Sequence, residues 1–328
     1  MNFQIKKIAV LTSGGDAPGM NAAIRAVVRT CAYYSIDCFG VYRGYQGLIE
    51  GDFKQMNARS VHNIIHKGGT ILKSARSQEF RTKKGREKAY QNLKKNEIDA
   101  LILIGGDGTF TGGMVFNKEF GFHVIGIPGT IDNDIYGTNF TIGYDTALNT
   151  VVDALDKIRD TASSHNRLFL VEVMGRDAGF IALNSGVGAG AEEILIPEED
   201  LGLERLLQSL ERSRRSGKSS SIVVVSEGDK TGKNVFELAS YIEKNLALYE
   251  VRVSVLGHIQ RGGSPTCFDR VLASRMGVKS VELLIDGNSN VMVGIDNNKI
   301  VTIPIKKAVK GKHSINKELL RMSDILSV

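Results

Sequence analysis

The chain has 328 residues, of which 42% are hydrophobic and 24% charged, and its formal net charge is +6. That length and apolar content suffice for two packed domains rather than one. No apolar run nears the length of a membrane span. The basic stretches at 83–88 and 212–218 lack the interleaved aromatic residues that favour nucleic-acid binding. We therefore expect neither a membrane nor a nucleic acid as a partner.

The first predicted element is a buried strand at 8–11, followed by the small-residue loop T-S-G-G-D-A-P-G at 12–19. Apolar residues then recur at the spacing of an amphipathic helix, which we predict over 20–34. Because glycine lacks a Cβ atom, a nucleotide could lie against the backbone at Gly14 and Gly15.

A second strand, loop and helix follow the same plan. The apolar run at 100–104 predicts a strand of a parallel sheet, and the loop G-G-D-G-T follows at 105–109. Thr109 is predicted to cap the next helix and to leave its free N–H groups for an anion. Asp107 would repel a phosphate, and a divalent cation between them removes the conflict. The loop therefore indicates polyphosphate with magnesium, and a glycine turn without a ligand is the alternative.

The third predicted strand, at 124–127, leads into P-G-T-I-D-N-D at 128–134. Its carboxylates Asp132 and Asp134 would lie at the rim of a sheet. Phosphoryl transfer needs one carboxylate to accept a hydroxyl proton and further charge to organise a metal and a polyphosphate. A solvated turn is the alternative, but three such loops together favour a phosphate ligand at the carboxyl ends of parallel strands.

The rest of the chain continues the alternation of strands and helices. Strands are predicted at 168–173, 194–196, 222–225 and 251–255, and helices at 147–158, 203–215 and 235–248. This order predicts an α/β fold with a mostly parallel, doubly wound sheet in each half. The pattern alone places a domain boundary near Thr141.

The three cysteines, Cys31, Cys38 and Cys267, have no metal-ligand spacing. We expect free thiols and, with them, a cytoplasmic location, because the cytosol keeps thiols reduced.

Five loops resemble the signature loops of bacterial ATP-dependent 6-phosphofructokinase, in that family's order. They are T-S-G-G-D-A-P-G-M-N at 12–21, G-G-D-G-T at 105–109, P-G-T-I-D-N-D at 128–134, V-M-G-R at 173–176 and G-H-I-Q-R-G-G-S-P at 257–265. The resemblance covers nearly the whole chain and fades in the last twenty or so residues. It implies phosphoryl transfer from MgATP to the 1-hydroxyl of fructose 6-phosphate, giving fructose 1,6-bisphosphate and ADP, the committed step of glycolysis.

The resemblance also implies two Rossmann-like domains with the active site in the cleft between them. The ATP-binding domain would comprise 1–141 and about 257–303, and the fructose 6-phosphate-binding domain 142–256 and about 304–328.

Site residues follow from the resemblance position by position. Asp132 would be the general base, Thr130 would hydrogen-bond the moving phosphoryl group, and Asp107 would hold Mg²⁺. The other implied catalytic residues are Gly15, Arg76 and Arg176. The implied ATP-binding residues are Gly15, Arg76, Ser77, Gly106, Asp107, Gly108 and Thr109. The implied substrate-binding residues are Thr130, Asp132, Arg167, Met174, Gly175, Arg176, Glu227, Arg252, His258 and Arg261.

Arg167 and Arg252 resemble arginines that the family contributes from a neighbouring subunit, which implies a homotetramer with shared active sites.

An effector site for ADP or phosphoenolpyruvate is implied at Arg25, Arg29, Arg159, Gly190, Glu192 and Lys218. Uncharged residues replace the usual basic ones at Ala58, Ser216, Ser219 and Ser220. Since charged hydrogen bonds to phosphate are the stronger ones, our hypothesis is weakened or altered effector control.

Three other functions are weighed against this one. Pyrophosphate-dependent relatives carry an aspartate at the position of Gly108 and a lysine at that of Gly129, whereas glycine leaves room for ATP. A non-catalytic sugar-phosphate sensor would be expected to lose Asp107 or Asp132, and both are present. Lipid and NAD kinases share G-G-D-G-T but lack the G-H-I-Q-R-G-G loop.

Overall fold

The computed structural model describes residues 5–162, 167–199, 201–215, 221–246 and 249–326. Its contacts divide the chain into two compact units. Unit 1 comprises Met1–Thr130, Ile135–Thr146 and Arg261–His313. Unit 2 comprises Ile131–Asp134, Ala147–Gln260 and Ser314–Val328.

The elements alternate along the chain. Those up to residue 128 belong to unit 1 and are β1 (Lys7–Ser13), α1 (Met20–Tyr33), β2 (Asp37–Val41), α2 (Gly44–Glu50), β3 (Phe53–Met56), α3 (Lys83–Lys95), β4 (Ala100–Gly105), α4 (Asp107–Phe120) and β5 (His123–Pro128). Helix α5 (Tyr144–Ala162) contributes residues to both units. Unit 2 then contains β6 (Arg167–Val173), α6 (Phe180–Gly188), β7 (Glu193–Leu195), α7 (Leu203–Arg215), β8 (Ser221–Ser226), α8 (Val235–Asn245) and β9 (Glu250–Val255). Unit 1 resumes with α9 (Cys267–Ile285), β10 (Val291–Asp296), β11 (Lys299–Pro304) and α10 (Ile305–Lys310), and α11 (Lys317–Leu326) lies in unit 2.

Within the described residues, unit 1 contains a seven-stranded sheet in the order β11-β10-β5-β4-β1-β2-β3. Its central strands β5, β4 and β1 are parallel neighbours, and antiparallel pairing occurs at the two edges. Every residue of β4 is buried, as expected for a continuous apolar run in a sheet covered on both faces. The strand order reverses between β1 and β4, and open α/β sheets bind ligands beside the carboxyl ends of strands at such a reversal.

The described part of unit 2 forms a four-stranded, entirely parallel sheet in the order β7-β8-β6-β9. Its apolar core includes Leu168, Leu170, Val223, Val225 and Leu238. Strands β6, β8 and β9 lie where the apolar runs predicted them. The predicted α/β fold with mostly parallel sheets is therefore confirmed.

The structure also bears on the cysteines and on the apolar helices. Cys31 and Cys38 are buried, Cys267 is exposed, and all three are free thiols. Across the described ranges, no helix combines the length and the apolar character needed to cross a membrane.

Candidate active site

Three predicted loops of unit 1 lie side by side because β1, β4 and β5 are adjacent and end at the same edge. The N–H of Gly129 donates to the carbonyl of Gly105 at 3.0 Å. The hydroxyl of Thr109 donates to the carbonyl of Ser13, also at 3.0 Å. These bonds join the loop after β4 to its neighbours on both sides. Gly14, Gly15 and Gly108 are exposed in these loops, whereas Gly105 and Gly129 are buried.

The predicted capping role of Thr109 is wrong. Helix α4 begins at Asp107, and its N-cap residue is Gly106, whose backbone is extended. Thr109 lies inside the first turn and uses its hydroxyl to bind the loop after β1. Since glycine has no side chain to accept from the first turn, the N-terminus of α4 has no side-chain cap at Gly106.

Asp107 is an exposed carboxylate at the first position of α4. Although the residue is exposed, desolvation by the protein atoms around its carboxylate raises the pKa of Asp107 above the ordinary value. Among the described residues, no three His, Cys, Asp or Glu side chains cluster as metal ligands. A single carboxylate nevertheless fits magnesium, which retains several waters and completes its shell with substrate phosphates.

Gly15 lies in close contact with the end of an arginine side chain. A Cβ atom at Gly15 would lie 2.4 Å from Nη1 of Arg261. The same nitrogen donates to the carbonyl of Asp16 at 3.3 Å. Arg261 therefore lies against the loop after β1 in unit 1, whereas Arg167, Arg252 and His258 belong to unit 2.

Arg76 and Ser77 lie in the segment between β3 and α3. Arg76 is exposed. The hydroxyl of Ser77 donates to Gln46 Oε1 at 2.7 Å and accepts from the N–H of Phe80 at 3.1 Å. Ser77 is thus part of the local fold, and Arg76 is the member of this predicted pair that faces solvent.

Sequence reasoning missed Asn21, a buried residue at the start of α1. Its amide donates to the carbonyls of Lys67 and Gly68 and accepts from the N–H of Ile71 at 2.8 Å. Asn21 therefore fixes the segment that precedes Arg76. Asn21 is part of the loop motif at 12–21, but its role could not be predicted because its partners lie about fifty residues away in sequence.

In unit 2, Asp132 meets Arg176. Arg176 Nε lies 3.7 Å from Asp132 Oδ2, and the side chains are 58% and 4% exposed. The backbone of Arg176 is left-handed, with φ of 53°, directly after Gly175 with φ of 145°. This turn directs the guanidinium to the carboxylate, so two residues predicted to be catalytic come together.

The loop 174–176 is held by two side chains. Glu227 Oε1 accepts from the N–H groups of Gly175 and Arg176 at 3.3 and 2.7 Å. Buried Gln260 accepts from the N–H of Met174 at 3.2 Å and donates to the carbonyl of Gly257 at 3.0 Å. Gln260, which sequence reasoning missed, thus ties this loop to the 3-10 helix Gly257–Arg261, on which His258 is exposed.

Arg167 and Arg252 lie on neighbouring strands and share one acid. Arg167 Nε is 3.0 Å from Glu250 Oε2, and Arg252 forms an ion pair with the other oxygen, Oε1. Strands β6 and β9 place Arg167 directly opposite Glu250. The structure therefore brings the two predicted phosphate-binding arginines together through an acid that sequence reasoning missed.

Comparison with known proteins identifies the family. Residues 7–284 match the phosphofructokinase family, described as "Phosphofructokinase". The chain belongs to the phosphofructokinase family. A protein of Halalkalibacterium halodurans named ATP-dependent 6-phosphofructokinase is 55% identical over 324 residues, covering 99% of this chain and all of that protein. ATP-dependent 6-phosphofructokinase 2 of Bacteroides thetaiotaomicron is 52% identical over 324 residues, covering 99% of each chain.

A solved structure of phosphofructokinase from Saccharomyces cerevisiae matches with a TM-score of 0.88 and 36% identity. The match covers 98% of this chain and 48% of the yeast chain. The chain thus spans about half the length of that yeast family member.

The family's implied effector residues divide between the units. In unit 2, Arg159 Nη2 donates to the carbonyls of Ala189 and Gly190 at 2.8 and 2.7 Å, and Nη1 lies 3.9 Å from Glu192 Oε1. Glu192 Oε2 accepts from the N–H of Ile222 at 2.7 Å.

In unit 1, Arg25 and Arg29 lie one turn apart on α1. Burial lowers the pKa of Arg25, and the charge of Arg29 acts in the same direction. Lys218, Ser216, Ser219 and Ser220 lie outside the described residues.

Proposed function

We infer that this protein is an ATP-dependent 6-phosphofructokinase. It transfers the γ-phosphoryl group of ATP to the 1-hydroxyl of fructose 6-phosphate and releases fructose 1,6-bisphosphate and ADP. The observation that carries this inference is identity of 52–55% over essentially the full length of proteins with that name. The pair of Asp132 and Arg176 in unit 2 supports it independently.

In the proposed reaction, Asp132 accepts the proton of the 1-hydroxyl as that oxygen attacks the γ-phosphorus. Arg176, which pairs with Asp132 at 3.7 Å, supplies positive charge beside the base and the transferred oxygens. Arg76 adds a second guanidinium, and Thr130 hydrogen-bonds the moving group. The transfer is direct, so we expect no phosphoenzyme.

ATP is assigned to the loop surface of unit 1, with its phosphates at the uncapped N-terminus of α4. Gly15, Gly106 and Gly108 let the backbone approach the nucleotide, and Ser77 and Thr109 hold the surrounding loops. Asp107 would hold Mg²⁺, which when bound neutralises charge on the phosphates and polarises the transferred group.

The residues that we propose bind fructose 6-phosphate belong to unit 2, apart from Arg261. Arg167, Arg252, His258 and Arg261 would bind its phosphate, because forked guanidinium groups suit bidentate recognition of phosphate. Glu227 would accept from sugar hydroxyls, and Met174 and Gly175 would line the ring. The buried amide of Gln260 supports this assignment because it holds the two contributing loops in one place.

The donor is proposed to be ATP rather than pyrophosphate. A Cβ atom at Gly108 would meet no atom within 4 Å, so the space beside Asp107 is open. An open space suits the bulky α-phosphate and nucleoside of ATP. A sugar-phosphate sensor without activity is disfavoured, since Asp107 and Asp132 are both retained.

A coupled assay tests the proposed function. Purified protein is offered fructose 6-phosphate and magnesium with either ATP or pyrophosphate, and fructose 1,6-bisphosphate is measured. We expect turnover with ATP and none above background with pyrophosphate. Turnover with pyrophosphate alone would assign the alternative function, and binding of the sugar phosphate without turnover would assign the sensor.

We propose that the protein is a cytoplasmic homotetramer whose subunits share their active sites. We also propose an effector site for ADP or phosphoenolpyruvate. Of the residues that the resemblance implies for it, Arg159, Gly190 and Glu192 belong to unit 2 and Arg25 and Arg29 to unit 1. Because Ala58 stands where a basic residue is usual, effector control should be weak. A titration in which either effector shifts the fructose 6-phosphate saturation curve strongly would contradict this point.

A further inference from the structure

Glu250 joins two cationic side chains that neighbouring strands place on one face. In β9, Glu250 and Arg252 are exposed while Val251 between them is buried, the two-residue period of a strand. Arg167 lies directly opposite Glu250 in the parallel register with β6. We call Arg167, Glu250 and Arg252 the arginine bridge.

The bridge uses only part of each guanidinium. Arg167 binds Glu250 Oε2 through Nε at 3.0 Å, and among the described residues its two terminal nitrogens remain for another acceptor. Arg252 binds Oε1 through one terminal nitrogen, Nη2. Because a guanidinium has five N–H donors, each arginine retains enough of them for bidentate recognition of a phosphate.

The bridge also sets the local charge. Two unscreened guanidinium groups on one face of the sheet repel each other and spread over many rotamers. One carboxylate between them reduces the formal charge of the group from +2 to +1 and holds both arms in one arrangement. The remaining positive charge complements a phosphomonoester, which carries about −1.5 to −2 charges at pH 7.

We propose that Glu250 is a positioning residue that pre-organises Arg167 and Arg252 for the 6-phosphate of the sugar substrate. This inference rests on the proposed function, in which both arginines bind that phosphate. Glu250 does not touch the substrate and acts through the two arginines. It therefore affects sugar-phosphate binding and not the transfer step.

An ordinary surface ion pair supplies the matched control. Glu211 pairs with Arg215 one turn along α7, also in unit 2, and holds a single arginine that has no assigned role in the site. Glu211→Gln and Glu250→Gln make the same chemical change at a glutamate–arginine pair. A difference between them reports the particular role of the bridge.

The test compares steady-state kinetics of wild type, Glu250→Gln and Glu211→Gln. For Glu250→Gln we expect the KM for fructose 6-phosphate to rise about tenfold, as lost orientation of phosphate-binding groups predicts, with kcat and the KM for ATP changed less than about twofold. Glu211→Gln should match wild type. Thermal unfolding and kcat at saturating sugar phosphate show that each variant is folded.

A second comparison asks whether Glu250 acts through the arginines. In an Arg252→Ala background, Glu250→Gln should raise the KM by a smaller factor than in wild type, because one arm of the bridge is already gone. An equal factor in both backgrounds would contradict the proposal. An unchanged KM for Glu250→Gln would show that the bridge is only a surface ion pair. A lower KM would show that Glu250 competes with the phosphate for the arginines. Either result would overturn the proposal.

The experiments distinguish failure of the proposed function from failure of the proposal about Glu250. If wild type shows no turnover of fructose 6-phosphate with ATP, the function is wrong. If Arg167→Ala and Arg252→Ala both leave the KM for fructose 6-phosphate unchanged, the assignment of the pocket is wrong. If those two variants raise the KM and Glu250→Gln does not, only the role of Glu250 is wrong.

Discussion

At the scale of single residues, two glycines in neighbouring loops of unit 1 have opposite surroundings. A side chain at Gly108 would project into open space. A Cβ atom at Gly129 would lie 3.1 Å from Ile104 Cγ2 and 3.2 Å from Met20 Cε. Gly108 therefore keeps a ligand surface clear, whereas Gly129 allows close packing under the loop that leads to Asp132.

Gly108→Asp should weaken ATP binding without disturbing the fold. The added carboxylate would lie beside Asp107 and the polyphosphate, so like-charge repulsion should raise the KM for ATP about tenfold or more. Gly108→Ala separates the effect of bulk from that of charge and should raise the KM for ATP by a smaller factor, since its methyl group carries no charge and meets no protein atom. An unchanged KM for ATP in Gly108→Asp would place the nucleotide elsewhere.

At the scale of elements, a buried network ties the N-terminus of α5 to that of α9. Asp269 is fully buried and accepts from the N–H of Gly143 at 2.9 Å, the N–H of Thr146 at 2.8 Å and the Thr146 hydroxyl at 2.5 Å. Thr266 caps α9 and donates to Asp145 at 2.6 Å. The network fixes where the chain that follows the Asp132 loop enters α5.

This network should make stability depend on pH. Burial raises the pKa of Asp269 from 3.8 to about 6, although bonds from Thr146 and Gly143 act in the opposite direction. The native state then holds this proton more tightly than the unfolded chain. The contribution of Asp269 to the free energy of unfolding therefore falls as pH rises from about 4 to about 6 and is nearly constant above pH 6. The fall over this range is on the order of 2 kcal/mol.

Asp269→Asn removes the titrating group. Urea unfolding is measured at a series of pH values. As pH falls from about 6.5 to about 4, the free energy of unfolding of wild type should increase by roughly 2 kcal/mol relative to that of this variant. Asp286→Asn, at the exposed end of the same helix, controls for loss of one carboxylate. A constant difference between wild type and Asp269→Asn across this range would contradict the assignment.

Elements and loops were predictable from sequence where their signal is local. Apolar runs identified β1, β4 and β5, and glycines marked the loops after them. The contacts that position the site are not local: Asp269 meets Gly143 across 126 residues, and Gln260 meets Met174 across 86. Thr109 was misassigned as a cap because its hydroxyl binds Ser13, a partner 96 residues away that only the sheet brings near.

At the scale of the whole molecule, residues with related proposed roles are distributed between two compact units. The loop that carries Asp132 interrupts unit 1, since Ile131–Asp134 belong to unit 2 while the flanking segments do not. Arg261 likewise belongs to unit 1, although the rest of its proposed pocket belongs to unit 2. In the proposed tetramer the active-site residues are also divided between subunits, because Arg167 and Arg252 would bind substrate in the site of a neighbouring subunit.

Mixed subunits test that division. Asp132→Ser and Arg252→Ala variants should each be nearly inactive at low fructose 6-phosphate. The two variants are mixed, dissociated and reassembled. Roughly a quarter of the sites should then combine an intact Asp132 with a neighbour's intact Arg252 and be active. Each variant reassembled alone is the control. Recovery of no activity by the mixture would place both residues in the site of one subunit.

The most direct measurement of the central claim is the turnover of Asp132→Ser with ATP and fructose 6-phosphate, compared with its affinity for the sugar phosphate. Loss of the general base should lower kcat by about 10²–10⁴-fold and change fructose 6-phosphate binding only a few-fold. A variant that retains the wild-type kcat would show that Asp132 does not accept the proton and would contradict the account.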